Sequence, residues 1–72
     1  MIGVQVNSRT KLYFDMVEDT HPNKGGFYCK VYRDNTTDFP YGEFSIDRNI
    51  ARGDRKKGNI YAVQRIKDMY NS

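Results

Sequence analysis

Cysteine and histidine each occur once in this chain, as Cys29 and His21, and tryptophan does not occur at all. A single cysteine closes no internal disulfide, so a scaffold stapled by disulfides is excluded. One cysteine and one histidine supply half of a tetrahedral zinc site, and two carboxylates would have to complete it, so no metal is expected. Long apolar runs are missing as well. No stretch approaches the ~20 apolar residues of a membrane span, and "MIGVQVNSRT" lacks the apolar segment of a signal peptide. These absences point to a cytoplasmic, reducing setting with no membrane contact. No glycine-rich phosphate loop is present, because "ARGDRKKG" has neither the spacing nor the strand-then-helix setting of one. No cofactor is expected.

What the chain does have is tyrosine and unevenly placed charge. Its 72 residues make one small domain, 1–72, with 38% hydrophobic and 29% charged residues. A chain of this size buries only about 60% of the surface its unfolded form exposes, which leaves little room for a deep active-site cavity. Six of its ten aromatic rings are tyrosine, a residue suited to surfaces that are apolar on one side and wet on the other. The formal charge is +3, but residues 1–47 carry net −2 and residues 48–72 carry net +5. The positive excess belongs to one end of the chain.

Periodicity gives the fold class. "IGVQV" alternates, with Ile2, Val4 and Val6 on one side. "KLYFDMVED" places Leu12, Phe14 and Met16 on one face and Tyr13, Asp15 and Val17 on the other. "THPNKGG" interrupts with Pro22 and the pair Gly25-Gly26. In the third strand Phe27, Cys29 and Val31 face one way, and Tyr28, Lys30 and Tyr32 the other. "RDNTTDFP" reads as a turn. "YGEFSID" then turns Phe44 and Ile46 inward and Tyr41, Glu43 and Ser45 outward. Beyond a short helical turn at 48–52, Asn59 reads as the cap of a helix "IYAVQRIKDMY", striped by Ile60, Val63, Ile66 and Met69 or Tyr70. Lys67 suits the negative end of that helix.

The expected fold is therefore α+β: a three- to four-stranded antiparallel sheet, a meander, with one C-terminal helix packed on one face. The expected core is Leu12, Phe14, Met16, Phe27, Cys29, Val31, Phe44, Ile46, Ile60, Val63 and Ile66. In this register Cys29 only fills space, and Asp15 and Glu43 lie on the open face as solvated or lysine-paired acids. No catalytic residue emerges, and no enzyme is expected.

Two surfaces remain as binding candidates. The outer sheet face offers Tyr13, Tyr28, Tyr32 and Tyr41 around Lys30. Rings of this kind anchor protein interfaces, and they also stack on bases. Asp15 and Glu43 on the same face repel phosphate, which favours a protein partner; the same face would equally serve a second copy as a homodimer interface. Cross-strand tyrosines also stabilise a small sheet with no ligand at all. The strand departs from the RNA-recognition signature, since Gly26 and Phe27 stand in swapped order and Val31 takes the place of the last ring. The second surface is the basic loop 48–57, with Arg48, Arg52, Arg55, Lys56 and Lys57 among glycines, suited to phosphates or carboxylates.

The leading expectation is a non-enzymatic protein-binding module, an adaptor or inhibitor that docks on a larger, nucleic-acid-handling protein. In size and plainness the chain resembles the short accessory and inhibitor proteins of phages and mobile elements. That resemblance rests on no motif. The alternative is a direct DNA- or RNA-binding domain that grips phosphates with residues 48–57.

Overall fold

A computed structural model of the chain describes residues 1–34 and 39–71. Four strands come first: β1 (Ile2–Gln5), β2 (Lys11–Glu18), β3 (Phe27–Tyr32) and β4 (Gly42–Ile46). Two helices follow, α1 (Arg48–Ala51) and α2 (Arg55–Tyr70). The strands lie in chain order in one antiparallel sheet, the meander that short connections favour. The fold is α+β, as the periodicity predicts. Of the expected turn at 33–40, residues 35–38 lie outside the described residues.

Local chemistry sets each connection. Between β1 and β2 the Val6 N–H donates to the Thr10 carbonyl at 2.9 Å, and Asn7 Oδ1 accepts the Arg9 N–H at 2.9 Å. Asn side chains that bond their own backbone in this way compete with longer strand pairing and so favour turns. Between β2 and β3, the side chain of Asn23 joins three segments. Its amide donates to Asp19 Oδ2 at 2.8 Å and to the Ile46 carbonyl at 3.1 Å, while its oxygen accepts the Arg48 N–H at 2.9 Å. One residue thus ties the β2–β3 loop to the end of β4 and the start of α1.

The register brings Phe14, Val31 and Gly42 into one row, and Met16, Cys29 and Phe44 into the next. With Val4, Val6, Leu12, Phe27 and Ile46, their side chains make a core on one side of the sheet, closed by Ala51, Ala62 and Ile66. Phe27, Cys29 and Val31 are all fully buried on the helix side, as their alternation requires.

The helix does not sit as its apolar residues suggest. It begins at Asp54, whose side chain accepts the Lys56 N–H at 2.9 Å, and not at Asn59. The face it buries is Gly58, Ala62 and Ile66. Ile60, expected in the core, is 71% exposed. Val63 is only partly buried against the core, and at the end of the stripe Tyr70 packs while Met69 stays exposed.

The reason is close approach. A Cβ on Gly58 would stand 3.1 Å from Met16 and Phe27, so the backbone of α2 rests nearly on the sheet. At about 100° per residue, Ile60 lies some 200° from both Gly58 and Ala62, on the opposite side of the helix. Small residues next to the sheet therefore send the isoleucine outward.

Candidate functional site

The outer face of the sheet is less open than alternation alone suggests. Tyr13 and Tyr28 are half-buried there and Lys30 is exposed. Tyr32, expected to face solvent, is only 5% exposed. It lies on an interior strand, opposite Tyr13 on one flank, with the chain entering β4 on the other, where the Tyr41 N–H donates to the Val31 carbonyl.

Tyr41 leaves the outer face altogether. Its ring meets Tyr70 of α2 at 5.2 Å between centroids, and the Arg33 guanidinium lies 5.0 Å from its centroid. Gly42 makes this possible, because a Cβ there would collide with the Tyr70 hydroxyl. Burial, then Tyr41 and Cys29, push the Tyr70 phenol above its ordinary pKa.

Charge on the outer face is balanced. Asp15, Lys30 and Glu43 form one row across β2, β3 and β4. Interaction with the Glu43 carboxylate, then desolvation, raises the Tyr28 phenol above its ordinary pKa, and a carboxylate beside that hydroxyl disfavours a phosphate. Of the five residues expected to form one binding face, the structure keeps Tyr13, Tyr28 and Lys30 together and removes Tyr32 and Tyr41.

The basic segment is not a flexible loop. Residues 48–57 are α1, a two-residue left-handed turn and the first turn of α2. Asp47 caps α1, and the Gly53 N–H donates to the Gly25 carbonyl at 2.7 Å. Two of its arginines serve the fold. Arg55 Nη1 donates to the Met16 carbonyl at 2.9 Å, and its guanidinium lies 5.4 Å from the Phe27 ring centroid. Met16 belongs to the half of β2 that β1 does not reach, since that pairing ends at Ile2 and Phe14. Arg48 Nη1 donates to the Pro22 carbonyl at 3.3 Å. Arg65 likewise stacks on Phe44 at 4.8 Å and donates to the Tyr61 hydroxyl. Arg52, Lys56 and Lys57 are exposed, and among the described residues their side chains make no hydrogen bond or ion pair.

Between α1 and α2 the surface carries an open groove of about 700 Å³ lined by Ile50, Lys57, Ile60, Tyr61, Val63 and Gln64. Its floor is apolar, with Ile50 and Ile60 exposed. Lysines stand around it: Lys56 and Lys57 at the first turn of α2, and Lys67 two turns beyond Ile60. The apolar stripe of the sequence places Ile60 and Val63 in the core; the structure exposes Ile60 and leaves Val63 half-buried at the groove. The signal for this patch was the spacing of Gly58, Ala62 and Ile66, a small-residue stripe that competes with the larger one.

Cys29 offers no nucleophile. It is fully buried, and burial pushes its thiol up to about 12, with the nearby Asp15 charge adding to the shift. A thiol so placed is inert at neutral pH. Among the described residues no three His, Cys, Asp or Glu side chains gather as metal ligands, and no helix is long and apolar enough to cross a membrane. No protein-family model, curated protein or solved structure matches this chain.

Proposed function

We propose that this chain is a non-enzymatic protein-binding module, a small adaptor or inhibitor that docks on a larger protein through the face shared by α1 and α2. The observation that carries the reading is Ile60, 71% exposed on the outward side of α2 beside the exposed Ile50. Burying a large aliphatic side chain stabilises by about 1.5–3 kcal/mol, and a small domain that leaves two together in water has that energy to offer a partner. Tyr28 and Lys30 on the sheet provide a second, more polar contact area. The partner in this reading is a larger protein, with nucleic-acid-handling enzymes among the candidates.

A second reading, direct nucleic-acid binding, is favoured by the unpaired Arg52, Lys56 and Lys57. Three cations support a slope of log affinity against log salt of only about −3, and an apolar groove between them gains nothing from phosphate. The two readings separate by site-specific cross-linking. A photoreactive amino acid at position 60, and a control at the exposed Ser8 in the turn between β1 and β2, are placed in the protein expressed in its source cells. Protein adducts of defined mass at position 60 and not at 8 support the module. Nucleic-acid adducts at position 60, with micromolar duplex binding that Lys56→Glu/Lys57→Glu abolishes, would refute it.

A further inference from the structure

Resting on the protein-binding reading, we infer that the α1–α2 groove takes an acidic amphipathic helix of the partner, with apolar anchors at its centre and carboxylates on its flanks. The outward side of α2 specifies this chemistry. Lys56, Ile60, Val63 and Lys67 are spaced four, three and four residues apart, so they run along one side of the helix. Lys56, Ile60 and Lys67 are exposed and Val63 is half-buried. Apolar side chains thus occupy the middle of the row and cations its ends. Ile50 of α1 widens the apolar centre, and Lys57 lines the groove beside it.

The occupant's shape follows from the same row. Lys56 and Lys67 are eleven residues apart, about 16 Å along the helix axis. A second helix laid along the groove meets it with anchors at i and i+3 or i+4, and acids placed about one turn to either side of those anchors come opposite the lysines. Asp68, the one carboxylate within α2, accepts from Gln64 Nε2 at 3.0 Å, and among the described residues neither lysine forms an ion pair. Charge decides against a second copy of the chain. A symmetric contact across this face would bring the same lysines together, and residues 48–72 carry net +5. Like charges brought together at an interface select against the pairing.

The test uses the full chain and three displayed libraries of one 18-residue helical scaffold. Each randomises its apolar positions and carries Glu, Gln or Lys at the flanking positions. The acidic library should yield binders and the Lys library none. Ile60→Asp, which changes an exposed position and leaves the fold intact by circular dichroism, should weaken the selected peptides at least tenfold. Lys56→Glu/Lys57→Glu should weaken them as much and admit binders from the Lys library. The inference is overturned, with protein binding left standing, if the Gln library binds as tightly or if binding survives Ile60→Asp. Failure of all three libraries, with duplex DNA retained at low salt, removes both the inference and the reading beneath it.

Discussion

Gly58→Ala adds one methyl group where α2 lies nearest the sheet. At a solvent-facing position inside a helix the same change stabilises by about 1 kcal/mol, because glycine is the more flexible residue. Here the new Cβ would stand 3.1 Å from Met16 Cε and Sδ and 3.1 Å from Phe27 Cδ2. The thioether end of Met16 has rotatable bonds and can swing aside. The Phe27 ring cannot: it is enclosed by the core, and the Arg55 guanidinium covers it. Overpacking against a fixed group costs about 1–3 kcal/mol. The larger effect wins, and the variant should lose about 1 kcal/mol net, a drop of about 4–8 °C in Tm for a domain of this size.

A double-mutant cycle with Phe27→Leu separates the two contributions. With the ring removed, Gly58→Ala should regain its helix-propensity benefit of about 1 kcal/mol. The coupling between the positions is then about 2 kcal/mol, well above the few tenths seen for independent sites. Urea unfolding followed by far-UV circular dichroism reads all four stabilities, with equal m values as the check on two-state behaviour. A higher Tm for Gly58→Ala than for the parent, or additivity of the two changes, would refute the close packing of α2. Either outcome would mean that the helix stands off the sheet.

Three further expectations concern other parts of the same frame. Ile66→Ala should cost about 2–5 kcal/mol, since a fully buried aliphatic group leaves a cavity, whereas Ile60→Ala should stay within about 0.5 kcal/mol; chemical denaturation that gave the reverse order would place the helix the other way round. Asn23→Ala removes three hydrogen bonds among the β2–β3 loop, β4 and α1 and should cost about 1–3 kcal/mol. It should also flatten the acid limb: Asn23, then the Thr20 N–H, hold Asp19 below its ordinary 3.8, so that stabilisation is present above 3.8 and lost as pH falls through the lower folded value, and equal acid slopes of Tm for parent and variant would refute it. Arg52→Gly should raise stability by up to about 1 kcal/mol, because Arg52 ends α1 in the left-handed region at φ 51°, a conformation glycine adopts without strain; a lower Tm would show that the arginine side chain is needed for the fold.

The sheet was legible because its signal is local. Alternation over Leu12–Met16 and Phe27–Val31 fixes which side chains share a face, whatever the strands pair with. The helix was legible in existence but not in rotation. Counting large apolar residues favours Ile60, Val63 and Ile66, while the contact itself selects Gly58, Ala62 and Ile66, because backbone approach to Met16 and Phe27 is worth more than the burial of one further isoleucine. The outer face failed differently. Tyr41 lies just before β4, so strand alternation does not govern it, and its pairing with Tyr70 joins residues 29 positions apart in sequence. The basic segment was legible in part: the helical turn expected at 48–52 is α1, whereas the first turn of α2 was missed because Asp54, its cap, was counted only as a charge.

Charge on α2 accounts for the rotation that a count of apolar residues misses, and for the exposed patch. Ile60 lies about 40° from Lys56 and about 20° from Lys67 around the helix axis. No rotation buries the isoleucine without carrying both ammonium groups toward the sheet. Removing an unpaired ammonium from water costs several kcal/mol, against about 1.5–3 kcal/mol gained from Ile60. The side of Gly58, Ala62 and Ile66 carries Arg55 and Arg65, but their guanidiniums find partners there, the Met16 carbonyl and the Phe27 ring for one and the Tyr61 hydroxyl and the Phe44 ring for the other, so that side goes inward. Ile60 is then held in solvent by its lysine neighbours, and the arrangement that keeps it from the core is the one that surrounds an apolar contact point with positive charge.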